Sequence, residues 1–331
     1  MEGDIMNRRG FTLGAASALC FGILKPACAA ASYPDRPLTF VVPYPPGGAA
    51  DQFARPFAQA LGDRLRQSVI VENRPGANGN IGSAYVAQRM PADGYALLLG
   101  SLSTLAINPH IYPSMGYSVL DDLQPVSLTH SMPNVLVVGA DTPYRTLAQL
   151  IDAAKRQPGK IEYGSAGIGN TMHMAAELFQ LRASIKLLHV PYKGGPEALN
   201  DVLGGRIPMM FNNLPAIVPL VQAGKLRALA IADDKRSPLL PGVPTMREAG
   251  IADANSVVWN GILVRHGTPP ALVAQLNAAM GAVLADPKFR KLLTSQGYDI
   301  LSSTPEEFAT LLRKDYAAMG DLVKRANIKM E

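Results

Sequence analysis

Apolar runs alternate with amphipathic helical patterns along most of this chain. Short runs that are typical of buried strands, such as PLTFVVPY and YALLLGS, are each followed by a helical pattern or a turn. The segment DQFARPFAQALGDRL, for example, places Phe53, Phe57 and Leu61 on one face of a helix. Strands that alternate with helices predict an α/β fold, with parallel sheets covered by helices on both faces.

Two strand-rich stretches interrupt this alternation. Near Ser127–Pro133 and Asn255–Leu263 the pattern stays strand-like, and PVSLTH and NVLVVGA are interpreted as two separate strands. We therefore predict two doubly wound α/β lobes joined by a two-strand hinge. Residues 32–130 plus 256–331 would form lobe 1, and residues 131–255 would form lobe 2. Such an arrangement favours hinge motion around a ligand cleft.

The first 31 residues have the features of a signal peptide. Arg8-Arg9 precede an apolar run from Phe11 to Leu24, which is too short to span a membrane. Small residues follow, with cleavage expected among Ala29 to Ala31. The paired arginines indicate Tat export, and an ordinary Sec signal is the alternative. We thus expect a periplasmic protein. A lipoprotein signal at Cys28 is disfavoured, because Lys25 stands where leucine would be expected.

Composition excludes several classes of function. Both cysteines, Cys20 and Cys28, lie in the predicted signal peptide, so the mature chain would lack thiol chemistry and disulfides. The net charge is +5, spread along the chain, and aromatic residues make up 6%. This composition lacks the clustered basic surface that is typical of nucleic-acid-binding proteins. No later segment is apolar enough to span a membrane. We expect a monomer that binds no nucleic acid.

The usual catalytic and cofactor motifs are absent from the sequence. The five histidines stand apart, without H-E-x-x-H or paired metal spacing. The segment GSAG around Ser165 is not a G-x-S-x-G elbow, and PPGGAAD lacks the Lys-Ser/Thr of a Walker loop. The segment GIGNTM breaks the G-x-G-x-x-G pattern at its last glycine. We therefore expect no enzymatic activity, no metal and no cofactor.

Two strand–loop–helix corners of similar design remain, one in each predicted lobe. They are VVPYPPGGAAD, which ends in Asp51, and YGSAGIGNTMHMAAELF. In both, glycines allow a tight turn and leave backbone N–H groups accessible at the start of a helix. A helix N-terminus attracts anions through its dipole and unpaired N–H donors. The corners thus predict an anion site, and the alternative is that both are only tight turns.

In ordered blocks across nearly all of the mature part, the sequence resembles the solute-binding proteins of tripartite tricarboxylate transporters, the TctC-like or Bug family. The blocks include YPDRPLTFVVPYPPGGAADQFAR, VIVENRPGANGNIG, DGYALLLGS, PGKIEYGSAGIGNTMHMAAELF, HVPYKGGPEALNDVLGGRIPMMFNNLP and KRSPLLPGVPTMREAG. The resemblance implies a type II periplasmic-binding fold and no catalysis. It also implies a small organic carboxylate ligand, delivered to membrane subunits similar to TctA and TctB.

The resemblance also implies which residues line the cleft. They are Tyr44, Pro46, Gly47, Gly48 and Ala49 on the first wall, Ser165, Gly167, Thr171 and His173 on the second, with Tyr192, Ser101 and Asn212 beside them. Packing or helix capping is the alternative role for Tyr192 and Ser101. Asp51 is expected to cap its own helix rather than touch an anion.

Two positions depart from the family pattern. Ala50 stands where serine or threonine is frequent, and Asn212 stands where aspartate is common in the family's MFDNLP segment. The second change is expected to alter which ligands fit. Two other functions stay open from the sequence: presentation of the ligand to a membrane sensor, and an enzyme on the same scaffold.

Overall fold

The computed structural model describes residue 1 and residues 33–326, with side chains up to residue 324. Residues 2–31 of the predicted signal peptide lie outside the described residues. Within this described part, no helix has both the length and the apolar character needed to cross a membrane.

Ten strands and eleven helices form the described chain. The strands are β1 (Leu38–Val42), β2 (Val69–Asn73), β3 (Ala96–Ser101), β4 (Leu123–Gly139), β5 (Glu162–Ser165), β6 (Leu188–Pro191), β7 (Met209–Asn213), β8 (Leu226–Ile231), β9 (Val257–Arg265) and β10 (Asp299–Ile300). The helices are α1 (Ala49–Leu65), α2 (Asn80–Ala84), α3 (Asn108–Ile111), α4 (Val119–Asp122), α5 (Leu147–Arg156), α6 (Thr171–Ala183), α7 (Gly195–Leu203), α8 (Leu214–Gln222), α9 (Pro270–Ala285), α10 (Pro287–Thr294) and α11 (Pro305–Ala326). A π-type turn at Ser103–Ile107 follows β3.

The strands divide into two groups, which we call the first lobe and the second lobe. In the first lobe the order is β2-β1-β3-β9-β4, and β10 also pairs with β4. In the second lobe β4 pairs with β8 on one side and with β7 on the other, followed by β5 and β6. The predicted α/β fold is therefore confirmed, with helices packed on both groups of strands.

Strand β4 connects the two lobes and differs from the expected pair of strands. It runs unbroken for 17 residues, where the sequence predicted two. It pairs with β9 as far as Pro133 and with β7 from Asn134 onwards. Register shifts near Pro125 and Leu128 let the strand bend without ending. The lobe boundaries after residues 130 and 255 stay predictions, because strand pairing alone does not define a domain boundary.

The sheets are mixed rather than purely parallel. Strands β1, β2 and β3 are parallel to one another, as are β5, β6 and β7, but β4 and β9 are antiparallel to their neighbours. Strands β4 and β9, which cross between the lobes, run in opposite directions and pair with each other directly. A parallel pair would instead need a crossover connection, usually a helix.

Each lobe has its own apolar core. The first lobe is filled around Phe40, Phe53 and Phe57, with a second cluster around Trp259 and Phe308. The second lobe is filled by a cluster that extends from Val135 to Ala254. A small cluster of Ile107, Ile111, Met174 and Val323 packs side chains of both lobes together. The lobes are therefore in contact, and the cleft between them is closed.

Candidate ligand-binding site

A cavity of about 100 Å³ lies between the two lobes. This volume can hold several water molecules, since one needs on the order of 10–15 Å³ by the same measure. The first lobe contributes Tyr44, Pro45, Gly47, Gly48, Ala49, Ala50, Ser101 and Ser103 to its wall. The second lobe contributes Ala166, Asn170, Thr171, Met172, Gly195, Pro196, Leu199, Asn212, Asn213 and Ala216, and the crossing strands contribute Met132, Val258 and Asn260.

The lining carries no lysine, arginine, histidine, aspartate or glutamate among the described residues. Its positive potential comes instead from helix N-termini. Four helices, α1, α6, α7 and α8, direct their first residues or their N-cap to the cavity wall. Each N-terminus is equivalent to roughly half a positive charge. The first two N–H groups of α6 are already bonded within the protein, and Pro196 and Pro215 at the starts of α7 and α8 have no N–H. The wall is thus suited to an anion, and it has no carboxylate to bind an amine.

The loop before α1 is shaped by glycine and by a buried carboxylate. Gly47 has a φ of 82°, a left-handed conformation that glycine adopts without strain. Its N–H donates to Asp51 Oδ2 at 3.0 Å. Gly48 is the N-cap and brings no capping side chain, so the N–H groups of the first turn of α1 are left for a ligand.

Asp51 does not line the cavity, and its carboxylate supports the loop before α1 by accepting the Gly47 N–H rather than an N–H of the helix. Its carboxylate accepts both Arg55 Nε and Arg55 Nη2 at 2.9 Å, and Asn73 Nδ2 at 3.0 Å. Burial raises the pKa of Asp51, but the hydrogen bonds from Arg55, Gly47 and Asn73 outweigh it and hold the pKa below its usual value. Its negative charge is therefore compensated before a ligand arrives.

Tyr44 and Ser101 form a neutral hydroxyl pair in the wall. Their oxygens lie 2.6 Å apart. Burial raises the pKa of Tyr44 to about 12, so the phenol keeps its proton at neutral pH. Ser101 is the last residue of β3, the kind of position at the carboxyl end of a strand where ligands of open α/β sheets bind.

The second corner is already tied to the first lobe. Asn170 caps α6 by accepting the Met172 N–H at 3.0 Å. The Thr171 N–H donates across the cleft to Ser103 Oγ at 3.1 Å. Asn170 Nδ2 donates to Asn78 Oδ1 at 3.1 Å, again between lobes. These contacts close the cleft around the cavity.

The predicted site residues separate into two groups. Those that line the cavity are Tyr44, Gly47, Gly48, Ala49, Ser101, Thr171 and Asn212, and those that do not are Pro46, Ser165, Gly167, His173 and Tyr192. Pro46 is exposed, and Pro45 stands in the wall instead. Tyr192 donates its hydroxyl to Asp201 at 2.7 Å. Ligand contact stays a prediction for both groups.

Ser165, Gly167 and His173 support the second corner from behind. Ser165 is fully buried, and its Oγ lies 2.6 Å from His189 Nε2 and accepts the Gly167 N–H at 3.1 Å. His173 Nδ1 accepts the Gly169 N–H at 3.2 Å, and its ring stacks on His189 with centroids 4.2 Å apart. These groups fix the shape of the loop that precedes α6.

Several lining residues were missed by sequence reasoning. The segments KGGPEAL and FNNLPAIV are two further strand–loop–helix corners, and their glycine, asparagine and proline residues could have signalled them. They supply Gly195 and Pro196 at the start of α7 and Asn213 just before α8. Asn260, in the middle of β9, has no such local signal.

The buried histidines predict a loss of stability in mild acid. Burial lowers the pKa of His173 to about 4, and burial together with His173 lowers the pKa of His189 to about 4. Burial lowers the pKa of His130 to about 3. Because an unfolded histidine titrates near 6.5, the unfolded state binds more protons below that pH. The free energy of unfolding should be level above about pH 6.5 and fall as the pH approaches 4.

Urea denaturation between pH 7.5 and 4.5 measures this effect. A double variant, His173→Gln with His189→Gln, should be less stable at pH 7.5 but show a shallower fall with pH. An unchanged pH slope in the double variant would contradict the assignment of the proton uptake to these two side chains.

Two α/β lobes connected by crossing strands, with a cavity lined by helix N-termini between them, are typical of solute-binding proteins of the periplasmic type. The family model for the tripartite tricarboxylate transporter family receptor, TctC, matches residues 53–328. The chain belongs to this family, and the resemblance seen in the sequence is confirmed.

Individual relatives agree with this membership. The chain is 36% identical to protein BugT of Bordetella pertussis (strain Tohama I) over 94% of this chain and 95% of BugT. An R. palustris protein solved with adipate is 34% identical, with a TM-score of 0.87, and the match covers 90% of this chain and 100% of that one. MatC from Rhodopseudomonas palustris, with bound malate, is 29% identical, with a TM-score of 0.82, and the match covers 88% and 100%.

Proposed function

We propose that this protein is an exported, periplasmic receptor that captures a small organic carboxylate between its two lobes. It would deliver the ligand to the TctA- and TctB-like membrane subunits of a tripartite tricarboxylate-type transporter. The single observation that carries the proposal is the cavity wall: four helix N-termini, neutral hydroxyls and amides, and no charged side chain among the described residues.

This wall discriminates by charge without using a counter-ion. A carboxylate exchanges water for backbone N–H donors at the start of α1, where the N-cap Gly48 brings no side chain that would compete. An ammonium group would lose its hydration and meet only helix N-termini, which repel it. We therefore assign a mono- or dicarboxylate without an essential amino group.

The relatives support the same class. One was solved with adipate and another with malate, which are both dicarboxylates. The lining of this chain, with its Tyr44–Ser101 hydroxyl pair and its asparagine side chains, can serve such ligands through neutral hydrogen bonds.

Isothermal calorimetry on carboxylates, amino acids, amides and sugars at one pH tests the proposal. At least one carboxylate should bind with a Kd of about 1 µM or tighter, which corresponds to about 8 kcal/mol. Binding confined to neutral or cationic compounds would contradict the anion site. Native mass spectrometry of the protein purified from its own host supplies candidates by the mass of what is carried along.

Which membrane protein receives the captured ligand is a separate question. A transporter and a membrane sensor both accept a closed, loaded receptor, and the family name favours the transporter. Adjacent genes for one small and one large membrane subunit would support uptake. Turnover of a bound ligand by the purified protein would instead support an enzyme.

Ligand binding is expected to compact the molecule. A ligand that touches both lobes binds the closed state better and shifts the population towards it. Small-angle scattering with and without saturating ligand should show a decrease in the radius of gyration. An unchanged radius, with binding confirmed by calorimetry, would mean that the free protein is already closed or that closure is not coupled to binding.

A further inference from the structure

Asn260 is a buried side chain of the cavity wall with an unused hydrogen-bond donor. The residue is 2% exposed, and its Nδ2 has no hydrogen-bond partner. Most buried side-chain donors in proteins are paired, and an unpaired one is destabilising. Such a group calls for an explanation that the fold alone does not give.

The strand that carries Asn260 fixes the direction of the side chain. Successive residues of a strand point to opposite faces, so Val258 and Asn260 share one face. Both line the cavity. Trp259, on the other face, donates its Nε1–H to Asp315 at 2.7 Å and packs on Phe308. The tryptophan therefore holds the asparagine at the cavity wall.

Other polar groups of the wall already have partners within the protein. Tyr44 and Ser101 bond to each other, and Ser103 accepts the Thr171 N–H. Asn213 Nδ2 donates to Asn134 Oδ1 at 3.1 Å. In Asn260 the backbone oxygen accepts Thr129 Oγ1, whereas the side-chain NH₂ stays unused.

The residue opposite Asn260 on β4 does not compete with a ligand. This residue is His130, whose ring lies 3.9 Å from the Phe53 ring centroid and 5.2 Å from that of Tyr298. Packed between two aromatic rings, it forms no hydrogen bond to Asn260, and its own Nε2 also has no partner. The amide thus remains without a hydrogen-bond partner inside the protein.

We propose that Asn260 is a specificity-determining residue whose Nδ2 donates to a second carboxylate of the ligand. The inference rests on the proposed function, in which the first carboxylate is held by helix N–H groups. Asn260 belongs to neither of the glycine corners but to a crossing strand, so it serves a separate group of the ligand. The ligand class is accordingly a linear dicarboxylate rather than a monocarboxylate.

Calorimetry on matched acids tests this assignment. Linear dicarboxylates of four to eight carbons are compared with the monocarboxylates of equal length, and the readout is the ratio of their Kd values. Asn260→Leu keeps the shape and removes the donor, and Asn260→Ala removes the amide with less demand on packing. Both should weaken the preferred dicarboxylate about 10-fold or more, with the monocarboxylate changed less than about threefold.

Ligand-free stability gives a second readout. Because Asn260→Leu replaces an unpaired donor, its urea midpoint should equal or exceed that of the wild type. The matched control is Asn277→Leu, which removes an amide outside the cavity that donates to the Val126 and Ser303 carbonyls. The control should lose stability but keep the wild-type ratio of Kd values.

The outcomes separate this inference from the proposed function. If the wild type binds no carboxylate at all, the proposed function is wrong. If it binds carboxylates but both Asn260 variants keep the wild-type ratio, only the role of Asn260 is wrong. Equal weakening of both acid classes would also overturn it, because the amide would then serve the shared carboxylate or the fold.

Discussion

Gly194→Ala should weaken ligand binding by about 10-fold or more while the protein still folds, because the added methyl group prevents the lobes from meeting. A Cβ at Gly194 would lie 2.6 Å from Cγ and 3.1 Å from Cδ of Pro45, which belongs to the loop before α1. The φ of Gly194 is −172°, an extended conformation open to any residue, so the backbone itself is not strained. The conflict exists only when the cleft is closed.

The expected loss of affinity in Gly194→Ala follows from the cost of overpacking. Forcing an extra methyl group into a close contact costs typically 1–3 kcal/mol, and the proline ring has no rotamer by which to move away. Opening the cleft relieves the contact, so the cost falls on the closed, ligand-bound state. The Tm of the ligand-free protein should therefore stay near the wild-type value, and scattering at saturating ligand should show a more open form than that of the wild type.

Gly48→Ala is the matched control on the opposite side of the cleft. A Cβ at Gly48 would lie 3.8 Å from the Pro196 ring, which is ordinary van der Waals contact. Its φ of −78° also suits alanine. We expect affinity close to wild type for Gly48→Ala and a loss for Gly48→Val, whose branches extend towards Pro196. Wild-type affinity of Gly194→Ala would show that closure does not need the contact with Pro45.

Asn212→Asp should weaken a dicarboxylate far more than a monocarboxylate of the same length. Asn212 is 2% exposed and lines the cavity. Its Oδ1 accepts the Asn213 N–H at 2.8 Å, and its Nδ2 has only the weakly accepting sulfur of Met210 at 3.7 Å. An aspartate can keep the first bond, but it places a negative oxygen where a donor stood. At pH 8 we expect a loss of about 100-fold for the dicarboxylate, which corresponds to roughly 3 kcal/mol.

The pH dependence identifies the charge as the cause. The second carboxylate of a bound dicarboxylate raises the pKa of the introduced carboxyl beside it, so lowering the pH protonates that carboxyl and removes the repulsion. Dicarboxylate affinity of Asn212→Asp should therefore recover between pH 8 and pH 6, whereas Asn212→Leu should show no such recovery. Calorimetry at both pH values measures this, and wild-type affinity of Asn212→Asp at pH 8 would mean that the residue does not face the ligand.

Local features of the fold were readable from the sequence. The segment Thr304-Pro305-Glu306-Glu307 has the sequence pattern of a capping box. In the structure Thr304 Oγ1 accepts the Glu307 N–H, and Glu307 Oε2 accepts the Thr304 N–H. The alternation of apolar runs and helical patterns predicted the two lobes. The single strand β4 was not predicted, since Pro125 and Pro133 normally mark strand ends.

Part of the candidate site could also be predicted from local sequence. The corner before α1 is formed by consecutive residues, and Gly47, Gly48 and Ala49 all line the cavity. The corner before α6 contributes Asn170, Thr171 and Met172 to the cavity wall, whereas Ser165 and Gly167 lie behind it. Which side of a loop faces a cavity depends on what packs against the other side, here the stacked rings of His173 and His189.

The sequence by itself determined the family and the alternation of strands and helices, and it predicted the export signal and the glycine-rich turns. Each of these depends on neighbouring residues or on an ordered series of motifs. The tertiary structure decided the rest. The Thr171–Ser103 bond, the approach of Gly194 to Pro45 and the unpaired amide of Asn260 join residues far apart in the chain. These contacts form because the crossing strands bring the two lobes together. A local sequence pattern does not predict which residues of the two lobes will meet.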